Sequence, residues 1–203
     1  MYALARMNES TICLTGDTIR LVPLSLEHLD GLCAIGLDPA IWALTTLRIT
    51  NRDEMRDYVE LALHEQHAGH TVPFVTMLRE TDQIVGATRF LSIVPEHRRA
   101  EIGWTWIAPP WQRTRVNTEA KYLMLRHAFE TWKLLRVEFK TSSLNLRSRA
   151  AILRLGATEE GTFRQHMVQP DGSRRDSVYF SIIADEWPDV RARLESRLRA
   201  REP

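Results

Sequence analysis

The spacing of apolar residues changes along the chain, and each change predicts a different kind of element. The run "TIRLVPL", from Thr18 to Leu24, has the composition of a strand. Two segments with helical spacing follow, and each comes directly after a residue that caps helices well, Ser25 and Asn51. The second of these helices has an apolar side made of Met55, Tyr58, Val59 and Ala62.

The pattern then shortens to that of strands. Three runs, "TVPFVTMLRE", "QIVGATRFLSIV" and "RAEIGWTWIA", are separated by turn residues at 80–82 and 95–98. Such short connections favour an antiparallel meander. A helix predicted from Thr118 to Trp132 and the strand "LLRVEFKTS" come next, so strand, helix and strand predict a β-α-β crossover with a parallel pair.

The remaining segments predict a short helix, a hairpin and a terminal helix. Gly156 closes the helix in "NLRSRAAILRLGA", and the turn "PDGS" joins the two strands of the hairpin. Together these elements predict an α/β (α+β) fold, with a mixed, mostly antiparallel central sheet and one β-α-β crossover. No linker divides it, and we expect an extension (1–17), one domain (18–187) and a charged C-terminal helix (188–203).

Composition narrows the class of protein. The 203 residues suffice for one sizeable core, and a net charge of +1 argues against nucleic acid or an acidic membrane as a partner. The arginines of the last helix are better explained as a solvated face with Glu–Arg pairs. Cys13 and Cys33 form no CxxC or zinc pattern. With no apolar leader and no membrane-spanning run, we expect a cytoplasmic protein.

The stretch "APPWQRTRVNTEAK", residues 108–121, contains the candidate chemistry. Pro109 and Pro110 lack an N–H, so the preceding strand cannot continue its pairing there. We expect the strands on either side of the crossover helix to part at this level, leaving backbone groups of Ile107 and Ala108 in a wedge.

A helix that begins near Asn117 and Thr118 would direct free N–H groups towards the same wedge. Those groups and the helix dipole attract an anion, usually a phosphate, and Arg113 and Arg115 add positive charge. A plain connecting loop explains these features equally well.

The two segments "EIGWTWIAPPWQRTRVNTEAKYLMLRHAFE" and "SSLNLRSRAAILRLGATEEGTFRQ" together resemble the GNAT superfamily of N-acetyltransferases. The closer likeness is to the RimJ/RimL-like branch, which acetylates the N-termini of ribosomal proteins, and it runs from about Thr18 to Trp187. The resemblance implies acetyl-CoA as cofactor and a primary amine as acceptor. Because the cysteines have no matching histidine cluster, we expect no metal.

The resemblance also assigns a pyrophosphate-binding motif, Gln/Arg-x-x-Gly-x-Gly/Ala, to residues 112–117. The residues it implies for CoA binding are Gln112, Arg113, Thr114, Arg115, Val116, Asn117 and Thr118. Arg115 and Asn117 stand where the family has small residues. A glycine lets the backbone approach the phosphate closely, so Arg115 either narrows the loop or replaces that approach by an ion pair.

A second motif places Asn145 and Ser148 near the pantetheine arm and the thioester. Each also has a simpler explanation, as a helix cap and as a first-turn serine. The resemblance implies that a backbone N–H of Ile107 or Ala108 binds the thioester carbonyl and that Ser148 assists the leaving sulfur.

For the catalytic base, the resemblance favours Glu101, acting through water; the alternatives are a plain ion pair with a neighbouring arginine, or His97 as the base. Strict alternation puts Trp104 and Trp106 on the sheet face opposite Glu101. Trp42 is therefore the predicted acceptor-pocket residue, by analogy with the family.

The predicted function is acetyl-CoA-dependent N-acetylation of a primary amine, a protein or peptide N-terminus or a small amine. The alternative is a non-catalytic, acyl-CoA-binding sensor or interaction module, which Arg115 keeps open. The sequence identifies neither the acceptor nor the oligomeric state, for which we expect a homodimer.

Overall fold

The computed structural model describes residues 12–200, so the predictions for residues 1–11 and 201–203 lie outside the described part of the chain. The strands are β1 (Leu14–Thr15), β2 (Ile19–Pro23), β3 (Val72–Leu78), β4 (Ile84–Val94), β5 (Arg99–Ile107), β6 (Arg136–Ser142), β7 (Thr158–Val168) and β8 (Arg174–Ile183). The helices are α1 (Leu29–Gly36), α2 (Pro39–Trp42), α3 (Arg52–His67), α4 (Arg115–Arg126), α5 (Leu146–Leu155) and α6 (Trp187–Arg199).

All eight strands form one sheet in the order β1-β2-β3-β4-β5-β6-β8-β7. Every neighbouring pair is antiparallel except β5 and β6, which α4 connects. The predicted mixed sheet with one β-α-β crossover is therefore confirmed. The sequence did not predict that β8 lies between β6 and β7.

Local signals explain where several helices begin and end. The side chain of Asn51 accepts from the N–H of Glu54 at 2.9 Å and caps α3, as predicted. Gly156 follows α5 with a φ of +102°, a left-handed conformation that glycine adopts without strain.

The crossover helix differs from its predicted bounds. It begins at Arg115, because the hydroxyl of Thr114 accepts from the N–H of Val116 and caps the helix. The predicted start at Asn117 and Thr118 is thus wrong by a turn. At the other end, residues 127–131 form a π turn, in which the N–H of Trp132 donates to the carbonyl of His127 at 3.0 Å.

The sheet has two differently covered faces. One, the α4 face, packs against α4, α5 and α6 and includes Phe90, Ile102, Leu123, Phe139, Phe180 and Leu194. The other, the α3 face, packs against α1, α2 and α3 over β2 to β5 and includes Leu32, Met55, Tyr58, Val75 and Trp106. Burial of these two apolar sets holds the layers together.

Two peripheral segments contact the rest of the fold more extensively than the sequence predicts. The carboxylate of Glu119 on α4 accepts from the N–H groups of Asp17 and Thr18, which fixes the turn after β1. In α6, Val190 and Leu194 are buried, and Arg191 and Arg199 each pair with Glu195. Of the helices at residues 12–200, none is long and apolar enough to cross a membrane.

Candidate active site

A wedge opens between β5 and β6. The parallel pairing covers only three residue pairs and ends at Glu101 and Glu138. Beyond it, β5 continues beside β4 as far as Ile107, and β6 continues beside β8 as far as Ser142. The strands therefore part well before Pro109, so the two prolines end β5 but do not open the wedge.

Of the two backbone N–H groups predicted to face this wedge, only one does. The N–H of Ala108 donates to the carbonyl of Val85 at 2.9 Å, so Ala108 is bound to β4 and that prediction is wrong. Because N–H groups alternate in direction along an antiparallel strand, the N–H of Ile107 points to the opposite side, towards β6.

Gln112 links the two sides of the wedge. Its side-chain Nε2 donates to the carbonyl of Ile107 at 2.9 Å, and its Oε1 accepts from the guanidinium of Arg147, on α5, at 2.5 Å. The loop before α4 thus contacts both the end of β5 and the start of α5. The structure brings the predicted pyrophosphate loop and the second motif together.

The start of α4 combines a residue of positive φ with a side-chain cap. Arg113 adopts a φ of +64°, and the chain then enters the helix at Arg115 with Thr114 as its cap. Arg115 has helical backbone geometry, so this position needs no glycine. Its side chain turns away from the loop and donates to the carbonyl of Leu198, at the end of α6, at 2.8 Å. Arg115 therefore does not fill the space in front of the helix.

At the start of α5, the structure agrees with the simpler explanation of Asn145 as a helix cap. The side chain of Asn145 accepts from the N–H of Ser148 at 3.0 Å, which makes Asn145 the cap of α5. The half-buried hydroxyl of Ser148 makes no hydrogen bond to any described residue.

Glu101 lies at the closed end of the wedge. It is 4% exposed, and its Oε2 lies 3.4 Å from the Nζ of Lys140 on β6, not beside Arg98 or Arg99. Burial raises the pKa of Glu101, and the charge of Lys140 opposes that rise. A carboxylate with a raised pKa holds and releases protons closer to neutral pH.

A bulge in β5 overturns the prediction that Glu101 and the tryptophans face opposite sides. Glu101, Gly103 and Trp106 stand opposite Leu91, Arg89 and Ala87, which alternate regularly along β4. Two residues of β5 oppose one of β4 between these pairs, and Trp104 takes a φ of +50°. The extra residue puts both tryptophans on the α3 face with Glu101.

Trp42 is a core residue rather than a free pocket wall. It is 4% exposed, its Nε1 donates to the carbonyl of Gly36 at 2.8 Å, and its ring packs 5.4 Å from that of Trp106. Trp42 also packs against Tyr58, which stacks on Trp104, so these rings form one aromatic cluster on the α3 face.

Sequence reasoning missed Lys121. Its ammonium is buried between α4 and the sheet, where the Nζ donates to the hydroxyls of Thr105 at 2.5 Å and Thr88 at 3.1 Å. Desolvation lowers its pKa to about 7. The signal in the sequence was a lysine near the apolar side of a helix predicted to be covered, which indicates a buried charge. Over residues 12–200, no group of three or more His, Cys, Asp or Glu side chains could hold a metal ion.

Comparison with known proteins identifies the family of this chain. The profile of the Acetyltransferase (GNAT) domain matches residues 18–158. A structure from T. thermophilus that carries an acetyltransferase description is 34% identical, with a TM-score of 0.85, over 98% of this chain and 100% of that one. The uncharacterized N-acetyltransferase p20 of Bacillus licheniformis is 26% identical over 172 residues, 84% of this chain and 96% of its own.

RimJ of Mycobacterium smegmatis, in complex with CoA-disulfide, is 25% identical, with a TM-score of 0.76 over 91% of each chain. It extends the likeness to the RimJ/RimL-like branch. The chain therefore belongs to the GNAT acetyltransferase family, and it is an acyltransferase of the N-acetyltransferase type.

Proposed function

We propose that this protein transfers the acetyl group of acetyl-CoA to an α-amino group or another primary amine of low pKa. The observation that carries the proposal is a buried carboxylate with a raised pKa, Glu101, at the closed end of the wedge between β5 and β6. General bases of enzymes acting near neutral pH have this character.

The residues present fit acetyl-CoA. The N–H of Ile107 is directed into the wedge, and the start of α4 offers N–H groups that Arg115 leaves uncovered. Residues 112–118 would hold the pyrophosphate, and Arg113 would add positive charge beside it. Asn145 acts by fixing the start of α5, where Ser148 lies.

When bound, acetyl-CoA supplies an activated acetyl thioester. The protein's own residues then have three tasks. Glu101 takes the proton of the acceptor ammonium, directly or through water, which leaves a neutral, nucleophilic amine. The N–H of Ile107 donates to oxygen that gains negative charge, and the hydroxyl of Ser148 donates to the departing sulfur.

The choice of an α-amine follows from its pKa. An α-amino group has a pKa near 7.7–8.0 and a lysine side chain near 10.4, so the lysine costs roughly 3.5 kcal/mol more to deprotonate at neutral pH. Glu101 is a single carboxylate, and the positive charge of Lys140 lies beside it, so Glu101 is a modest base. It suits the amine that is easier to deprotonate.

The alternative is a non-catalytic, acyl-CoA-binding sensor or interaction module. The feature that favoured it was Arg115, whose side chain binds the end of α6 instead of closing the loop. Arg115 therefore no longer supports that alternative. A homodimer and a cytoplasmic location stay predictions from the sequence.

Calorimetric titration with acetyl-CoA tests the cofactor. We expect micromolar affinity for the natural protein and an affinity within about threefold for Arg115→Gly, since that side chain leaves the loop free. No binding by the natural protein, restored in Arg115→Gly, would instead support the non-catalytic module.

Mass spectrometry of peptides tests the acceptor. Each peptide carries either a free N-terminus with its lysines blocked, or a free lysine with its N-terminus blocked. We expect acetylation of the first set. Efficient acetylation of lysine together with no reaction at N-termini would refute the assignment to α-amines.

A further inference from the structure

A cluster of polar side chains lies on the α3 face beside Glu101, beyond the part that α1 to α3 cover. We call it the β8 cluster: Lys140, His166, Arg175, Ser177 and Tyr179. The register places Lys140 opposite Tyr179 and Ser142 opposite Ser177, so the side chains on β6 and β8 share the face of Glu101. The Nζ of Lys140 lies 5.6 Å from the ring centre of Tyr179, whose hydroxyl is 3.5 Å from His166.

Arg175 has no counter-ion in this cluster. No carboxylate of the described residues lies within ion-pair distance of its guanidinium, and its Nε is buried without a hydrogen-bond partner. Burial lowers the pKa of Arg175, and the charge of Glu101, the next cause, opposes that shift. A half-buried guanidinium is costly to keep unpaired, which points to a negative group that arrives with a ligand.

Ser177 adds a second unused donor on the same strand and face. It is 0% exposed, and its hydroxyl makes no hydrogen bond to a described residue. Buried hydroxyls in folded proteins nearly always have a partner. Two residues apart on β8, Arg175 and Ser177 therefore leave donors unsatisfied on one side of the site.

The balance of charge indicates what kind of anion fits. Lys140 and Arg175 face the single carboxylate of Glu101, and burial lowers the pKa of His166, which favours its neutral form. Two other carboxylates on the neighbouring strands already have partners: Glu138 binds Arg99 and Arg136, and Glu160 binds Arg136 and Ser181. Asp176, between Arg175 and Ser177 on β8, alternates onto the other face, where it accepts from the N–H of Gln165. One positive charge remains, which matches a monoanionic carboxylate better than a doubly charged phosphate ester.

We propose that the acceptor carries a carboxylate close to its reactive amine, and that Arg175 and Ser177 bind that carboxylate while Glu101 receives the proton of the amine. This rests on the proposed function, because it deepens the choice of acceptor. Two sources share the chemistry: a free α-amino acid, and a peptide whose first residues include Asp or Glu.

A binding measurement tests the inference apart from catalysis. The protein with CoA is titrated with N-acetylated amino acids, with the matching N-acetyl amides, and with N-acetyl dipeptides that contain Asp or Asn. We expect the carboxylate member of at least one pair to bind roughly 10- to 100-fold more tightly, the range for a hydrogen bond to a charged group. Preference for the free acids or for the Asp dipeptides identifies the source.

Variants locate the preference. Arg175→Gln should reduce the ratio of acid to amide affinity to near one, and Arg175→Lys should retain part of it. The matched control is Arg174→Gln, since the guanidinium of the exposed Arg174 donates to the side chain of Gln165 at the hairpin end. That control should keep the ratio of the natural protein.

Kinetics separate this inference from the proposed function. Among the amines that the enzyme acetylates, those that carry a carboxylate should have a lower KM than their amides in the natural protein. They should lose that advantage in Arg175→Gln. Equal affinity for acids and amides across the panel, with amines acetylated, overturns the carboxylate site and leaves the acetyltransferase intact. Acid preference lost in Arg175→Gln with no acetylation of any amine supports the site and contradicts the proposed function.

Discussion

Two buried ionisable groups lie on opposite faces of the sheet, and their surroundings differ. On the α4 face, the ammonium of Lys121 contacts the hydroxyls of Thr88 and Thr105, and no carboxylate of the described residues pairs with it. On the α3 face, the carboxylate of Glu101 faces Lys140, with Arg175 near by. Both are nearly inaccessible to water, and burial shifts the pKa of each towards neutrality.

The difference is in what surrounds them. The hydroxyls of Thr88 and Thr105 also lie 2.7 Å from each other, so Lys121 sits in a closed set of partners under α4. Glu101 lies where two strands separate, beside donors on β8 that have no partner. A shifted pKa alone therefore does not mark a catalytic group, and the proposed role of Glu101 rests also on the opening and the unfilled hydrogen-bonding capacity beside it.

The largest expected effect is at Glu101. Glu101→Gln keeps the shape and removes the base, so kcat should fall by about 100-fold or more, as for loss of a general base. The acid limb of the pH–rate profile, where protonation of Glu101 reduces the rate, should be replaced by one that follows the pKa of the acceptor amine, near 7.7–8.0. Stopped assays of peptide acetylation between pH 5.5 and 9 check both outcomes.

The matched control for that change is Glu138→Gln, because Glu138 stands directly opposite Glu101 in the register. Its carboxylate is held by arginines and has no assigned role in the reaction. The control should retain its rate within a few-fold. An equal loss in both variants would mean that the carboxylates support the sheet, and the contrast between the two faces would then fail.

The next effect concerns stability and Lys121. Because its folded pKa is about 7 and an unfolded lysine has a pKa near 10.4, the unfolded state binds more protons between those values. Stability of the natural protein should thus rise with pH through that window and be lowest below pH 7. Lys121→Met removes the buried charge, and Thr88 and Thr105 can bond each other.

We therefore expect Lys121→Met to be more stable than the natural protein at pH 6, with the gap shrinking by about 2–3 kcal/mol by pH 9. Urea unfolding at the two pH values measures it, and acetylation should continue in the variant. A variant that is less stable at pH 6, or that loses the acid limb of Glu101, would show that Lys121 belongs to the site.

Much of the fold follows from sequence because local signals and packing agree. The caps Asn51 and Asn145 and the closing Gly156 lie where the pattern predicts them. The position of β8 between β6 and β7 has no local signal, since it depends on pairing between distant strands. The early start of α4 was missed because both Thr114 and Asn117 can cap a helix, and only the packed structure chooses Thr114.

The site was less predictable, for a related reason. The extra residue of β5 reverses which side chains share a face with Glu101, and nothing in "EIGWTWI" indicates a bulge. The partner of Glu101 is Lys140, 39 positions along the chain, where the sequence suggested adjacent arginines. Long-range register decided both, and a single sequence does not encode register in a readable pattern.

The smallest expected effect is a shift of the pH profile. The positive charge of Lys140 lowers the pKa of Glu101 against the larger effect of burial. Lys140→Met removes that charge, so the pKa of Glu101 should rise further and the acid limb should move to higher pH. The rate at pH 6 should then fall by a few-fold, while the rate on the plateau at higher pH stays close to that of the natural protein. A limb that moves to lower pH, or a loss that is equal at every pH, would show that Lys140 acts on the substrate instead of tuning the base.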